Sequence, residues 1–218
     1  MARRPSRSRS RPRPTLVLFV RHGQTPTTGK ELPGRRPGLH LADAGKAQAE
    51  AAADAIATLP KLDAVYSSPL ERARETATPI AARRDLKVKT DKGLLEVDIG
   101  DWTGEELKTV ARTPEWKVVQ QYPSGFRFPR GESFLELQAR IVATIERITA
   151  AHPGGTVVAV SHADVIKAAV VHATGASLDM FQRIAISPAS VTAVAYGTLG
   201  PMVITQNWVP SLLSAKPS

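Results

Sequence analysis

Six short apolar runs punctuate this chain, and helical spacing fills most of the distance between them. Leu16 to Val20 is β-rich, brief and bounded by Pro14 and by charge, which predicts a buried strand. Asp43 opens an alanine-rich helix to about Thr58, ended by Pro60. Ala64 to Ser67 is a second strand, and Ser68-Pro69 suits the cap and first turn of a helix with Leu70, Ala73, Ala77 and Ile80 on one face. Leu86 to Thr90 alternates Val and Lys like a strand at or near a sheet edge.

Leu94 to Trp102 has no clean period and predicts a structured loop leading to a short helix from Thr103, with another helical piece over Pro114 to Tyr122. The strongest helical pattern spans Glu132 to Ala151, with Phe134, Leu137, Ile141, Ile145 and Ile148 on one side. Thr156 to Val160 is a fully apolar strand with a helix directly behind it. Ser190 to Tyr196 and Met202 to Trp208 flank a Gly-Pro turn and predict a hairpin. Strands alternating with helices give an α/β fold: a three-layer α/β/α sandwich on a mostly parallel sheet of roughly six strands.

Composition narrows the setting. At 218 residues the chain accommodates one domain, assigned to residues 15–209, with short tails at 1–14 and 210–218. The first tail is Arg, Ser and Pro with nothing apolar to bury, so disorder is expected. Its six arginines hold two thirds of the formal charge of +9 and leave +3 for the rest, which suits a small anionic substrate better than a nucleic-acid track. The tail reads as a solvated extension with at most weak nonspecific affinity for polyanions, ahead of an organellar address or a nucleic-acid arm. There is no cysteine, hence no disulfide frame or thiolate metal site, in keeping with a cytoplasmic protein. No run reaches the ~20 apolar residues that span a membrane.

The chemistry sits at the strand ends. The first strand stops on Arg21, His22 and Gly23, and the Thr156 run stops on Ser161 and His162; if those strands are neighbours, the two histidines meet. The second strand adds Arg72 at the same edge, although read alone Arg72 is a surface cation paired with Glu71 or Glu75. Arginine forks, helix N-termini and an imidazole suit phosphate oxygens, and Gly23 lets an anion approach closely. His40, His152 and His172 read as structural residues.

The segments RHGQT, SSPLERARETA, LLEVDIGDWTG, PRGES before a helix, and SHADVI occur in the order and context of the histidine phosphatase superfamily, the phosphoglycerate-mutase-like proteins, which Thr15 to Trp208 resembles. The resemblance implies a phosphohistidine mechanism. His22 would be the nucleophile, with Arg21, Arg72 and His162 around the phosphoryl group and Glu96 as general acid, desolvated by Trp102 and Ile99. It implies a substrate-binding set of Arg21, Gly23, Thr25, Thr28, Arg35, Arg72, His162 and Ala163, and neither metal nor cofactor. Thr28 departs from the family's usual Asn, and the short segment between Glu96 and His162 is closer to the phosphatases than to the mutases. The expectation is a metal-independent phosphomonoesterase acting on a small phosphorylated metabolite. A phosphoglycerate-type mutase and an inactive phospho-ligand binding module stand as alternatives. Arg35, Arg36 and the Pro123 to Gly131 loop are expected to shape the mouth of the pocket.

Overall fold

Residues 13–210 are described by the computed structural model; the expected tails at 1–14 and 210–218 therefore lie almost wholly outside the described residues. Strands β1 (Thr15–Arg21), β2 (Ala64–Ser67), β3 (Val88–Thr90), β4 (Thr156–Ser161), β5 (Val191–Gly197) and β6 (Gly200–Trp208) form a sheet in the order β3-β2-β4-β1-β5-β6. The β3-β2, β2-β4 and β4-β1 pairs are parallel. The β1-β5 and β5-β6 pairs are antiparallel, so the sheet is mixed. The β5-β6 pair is antiparallel because a tight turn joins the two strands, whereas a parallel pair needs a crossover of a dozen residues or more.

The helices are α1 (Asp43–Ala57), α2 (Glu71–Ala82), α3 (Leu107–Val110), α4 (Pro114–Gln121), α5 (Phe134–Ala151) and α6 (Ala163–Thr174). Alternate residues of the central strands enter two separate apolar clusters. Val17, Phe19, Val157 and Ala159 join Ile141 and Ile145 of α5 and Ile166 of α6. Leu18, Val20, Val158 and Val160 join Ile56 of α1 and Ala77 and Ile80 of α2. Burial on both faces explains why β1 and β4 are continuous apolar runs rather than alternating ones.

Several boundaries differ from expectation. The helix after β2 starts at Glu71 with Leu70 as its cap and no side chain on the cap, because Ser68 is engaged elsewhere. The helix expected from Thr103 is a 3-10 turn at Gly100–Trp102 followed by the single turn of α3. Helix α5 begins two residues late, where Ser133 and Glu136 form a reciprocal capping box. Strand β3 is three residues long and does lie at the sheet edge.

Candidate active site

Strand register assembles the site. Arg21 lies opposite Ser161 in the β1-β4 pair, and Ser67 opposite Val160 in the β2-β4 pair. The next residue of each strand therefore emerges at one sheet edge. His22 N donates to Ser161 O (2.9 Å), and Ser68 N donates to Val160 O (2.9 Å). Neighbouring strands are about 4.8 Å apart, and the rings of His22 and His162 meet edge to face with centroids 5.2 Å apart. His162 is also the cap of α6 without a side-chain bond, which leaves first-turn N–H groups beside Ala163 open to an anion.

Each side chain is held in a definite way. The Nδ1 of His22 lies 2.7 Å from its neighbour's carbonyl, Gly23 O; a carbonyl only accepts, so Nδ1 carries the proton and Nε2 presents its lone pair. Arg72 is fully buried, not the exposed partner of Glu71 or Glu75, and Glu75 instead bonds His40 and Leu41 N. Arg72 donates Nη2 to Gly34 O at 2.8 Å, while Nε and Nη1 find no partner among the described residues. Arg21 donates Nη1 to Ile186 O at 2.7 Å, and its Nε is likewise unpartnered. Buried guanidinium donors without an acceptor are costly unless a ligand satisfies them.

The electrostatics follow from burial. Desolvation, then the charges of Arg72 and Arg21, hold the His22 imidazole well below its ordinary range. Desolvation, then Arg72, His22 and Arg21, do the same to His162. Desolvation, reinforced by Asp164, pushes the Glu96 carboxyl up to about 7 against the pull of Arg72 and Arg21. Burial also lowers Arg21 and Arg72 from the usual arginine value.

Around these groups lies a cavity of about 530 Å³, lined by Arg21, His22, Arg72, Glu96 and Ala163 and walled by the Thr27–Pro33 and Ile184–Pro188 segments. Thr25 and Thr28 line it too, with Thr25 N donating to Thr28 Oγ1 at 2.9 Å and the two hydroxyls 3.0 Å apart. Gly23, Arg35 and His162 are not in the lining; His162 is fully buried behind it, against the ring of His22. A Cβ on Gly23 would stand 2.4 Å from Gly45 O, so its missing side chain serves the packing of the His22 loop on α1, and its N–H goes to Thr76 Oγ1. Arg35 is engaged by Glu132 at 2.9 Å and Asp98 at 3.5 Å, and donates Nε to Glu96 O at 2.8 Å. Trp102 packs among Trp116, Phe126 and Phe128, away from the lining. The Pro123–Gly131 loop therefore closes an aromatic cluster rather than shaping the mouth, and Arg36 reaches the cavity only through Glu31, to which it donates at 3.0 Å.

Sequence reasoning missed the props. Arg140 donates to the carbonyls of Gly93 and Leu95, each at 2.8 Å, and to both oxygens of Glu132, holding the Glu96 loop from α5. Burial raises Glu132, but its bonds to Arg140 and Asp98 N bring it below the ordinary carboxylate value. The wall at Ile184–Pro188 has no periodicity in the sequence to announce it. No group of three or more His, Asp or Glu side chains among the described residues is arranged to hold a metal ion.

Known proteins resemble this chain over most of its length. The family model of the histidine phosphatase superfamily (branch 1) matches residues 17–209. An uncharacterized protein of Mycobacterium tuberculosis is 38% identical over 165 residues, 69% of this chain and 74% of that one. Phosphoserine phosphatase 1 of Hydrogenobacter thermophilus is 29% identical over 191 residues, 82% and 85% of the two chains. The native structure of mycobacterial glucosyl-3-phosphoglycerate phosphatase superposes with a TM-score of 0.80 at 24% identity, covering 88% of this chain and 98% of that one, a likeness of fold.

Proposed function

The chain belongs to the histidine phosphatase superfamily and is a phosphatase of it, and from that premise we propose that it hydrolyses the phosphate monoester of a small metabolite through a phosphohistidine on His22. One observation carries the reading: a buried, neutral imidazole with Nδ1–H tied to Gly23 O keeps its other nitrogen free at a cavity it shares with two guanidinium groups, each with a buried N–H that has no acceptor among the described residues.

In the first step the Nε2 lone pair attacks phosphorus. The ester P–O bond breaks with its electron pair on the leaving oxygen, and protonated Glu96 supplies the proton. Arg21, Arg72, His162 and the N–H groups at Ala163 neutralise the equatorial oxygens, a charge-stabilising role usually worth several kcal/mol. In the second step the Glu96 carboxylate takes a proton from water, the water oxygen attacks phosphorus, and the N–P bond breaks to release phosphate and neutral His22. Thr25 and Thr28 line the cavity, with the Thr28 hydroxyl held by Thr25. Arg35 acts as a positioning residue for the Glu96 backbone, and Gly23 as a close-packing residue.

We read the two apolar clusters as the interfaces of a three-layer α/β/α sandwich in a cytoplasmic protein. The apolar wall of Leu32, Pro33, Leu107, Ile184 and Ile186, with Lys167 beside it, fits a small phosphorylated metabolite, as do relatives named for phosphoserine and glucosyl-3-phosphoglycerate. Quenching turnover with base should leave a phosphoenzyme that is base-stable and acid-labile, and His22→Ala should have neither label nor turnover. Labelling of His22→Ala at the wild-type level would overturn the mechanism.

A further inference from the structure

Resting on that reading of the site, we propose that Ser68 is a positioning residue that fixes His162 as its Nδ1–H tautomer, so that this nitrogen donates to the bound phosphoryl group. Ser68 Oγ lies 2.8 Å from His162 Nε2, and both residues are fully buried. His162 Nδ1 is buried and has no partner among the described residues.

Proton accounting selects one arrangement. A neutral imidazole has one N–H. If Nε2 carried it, His162 would donate to Ser68 Oγ, the serine proton would have no acceptor, and the Nδ1 lone pair would face an anion. If the serine donates to Nε2 instead, its oxygen still accepts from Leu70 N (3.4 Å), and Nδ1–H is left for the ligand. The serine backbone is fixed independently: Ser68 N donates to Val160 O, and Ser68 O accepts from Ser67 Oγ at 2.8 Å. Burial keeps His162 neutral, so the choice of tautomer decides whether it can donate at all. The same logic explains why Ser68 does not cap α2.

The test is ¹⁵N NMR of histidine-labelled protein, with His22→Gln and His162→Gln used to assign the two site signals. Wild type should show Nδ1–H at both histidines. In Ser68→Ala, His162 should move to the Nε2–H tautomer or to a mixture, while the His22 signal, set by Gly23 O, stays put and reports an intact fold. Inorganic phosphate, the probe ligand, should bind roughly tenfold more weakly to Ser68→Ala, and Ser68→Thr should retain the wild-type tautomer. An Nε2–H tautomer of His162 in the wild type overturns the proposal, and that measurement needs no variant of Ser68 to fold. Unchanged tautomer and phosphate affinity in Ser68→Ala overturn it too. Phosphoenzyme formation is scored separately, so loss of the His22 mechanism and loss of the Ser68 role give different results.

Discussion

Glu96→Gln tests the acid most directly. With its carboxyl pushed up to about 7, Glu96 is protonated in ~0.9 of molecules at pH 6, about half at pH 7 and ~0.1 at pH 8. His22 stays neutral throughout, its imidazole lying well below 6.5. The rate of phosphorylation by an alkyl phosphate should therefore fall with one descending limb near pH 7. Gln has the same shape and keeps an oxygen to accept from Val97 N, which bonds Glu96 Oε1 at 3.0 Å, so geometry survives while the proton is lost. The burst rate on alkyl phosphates should drop about 10²- to 10⁴-fold, the usual worth of a general acid, and the descending limb should vanish. p-Nitrophenolate leaves without a proton, so its burst rate should change far less. Because the proposed mechanism has the same residue activate water in the second step, the variant should then stall as phosphoenzyme, which is why pre-steady-state rates are the quantity to compare. Burst rates close to wild type for both alkyl and aryl esters would refute the assignment.

Three further outcomes are expected. The folded-state value of Glu96 is raised from 4.5 to about 7, so native protein keeps a proton that unfolded chain releases; stability should fall by about 3 kcal/mol as pH rises through that window, and Glu96→Gln should lose this decline, read by urea unfolding at pH 4 and pH 8. Gly23→Ala drives a Cβ to 2.4 Å from the carbonyl oxygen of Gly45 and should cost about 1–3 kcal/mol in the same assay, with activity falling further because the displaced loop carries His22. Deletion of Met1 to Arg13 should leave kcat/KM on a small substrate within a few-fold of wild type; a large loss would mean that the tail arginines reach the site.

What was legible depended on locality. Leu16–Val20 and Thr156–Val160 are short apolar runs that stop on His22 and His162, and pairing β1 with β4 required only that such strands be neighbours. The sequence puts Arg72 at the edge it occupies, but its burial is not legible there, because the acids beside it at Glu71 and Glu75 offer a plausible surface pairing. Arg35 shows the opposite failure. An arginine in a Gly/Pro-rich loop resembles an anion ligand, and nothing near it reveals that its partners, Asp98 and Glu132, are 63 and 97 residues away. From the sequence Ser68 reads as a helix cap because that is serine's commonest local use, and only the register of β2 against β4 shows that its hydroxyl faces His162.

The site also explains how one physical cause can serve two groups of opposite kind. The guanidinium charges of Arg21 and Arg72 act in the same direction on every titratable neighbour, disfavouring an imidazolium and favouring a carboxylate. Alone they would give neutral His22 and ionised Glu96, a state with a nucleophile and no acid. Burial acts differently, disfavouring whichever form is charged. It adds to the arginines at His22 and opposes them at Glu96, where it prevails with help from Asp164. A neutral base and a neutral acid thus coexist near pH 7, the pair that the proposed phosphoryl transfer to His22 requires. The fold achieves this by closing the carboxyl edge of β1, β2 and β4 with the Thr27–Pro33 and Ile184–Pro188 segments. Opening that wall to water would ionise Glu96 before it restored a proton to His22, because only the carboxyl is held neutral against the local field.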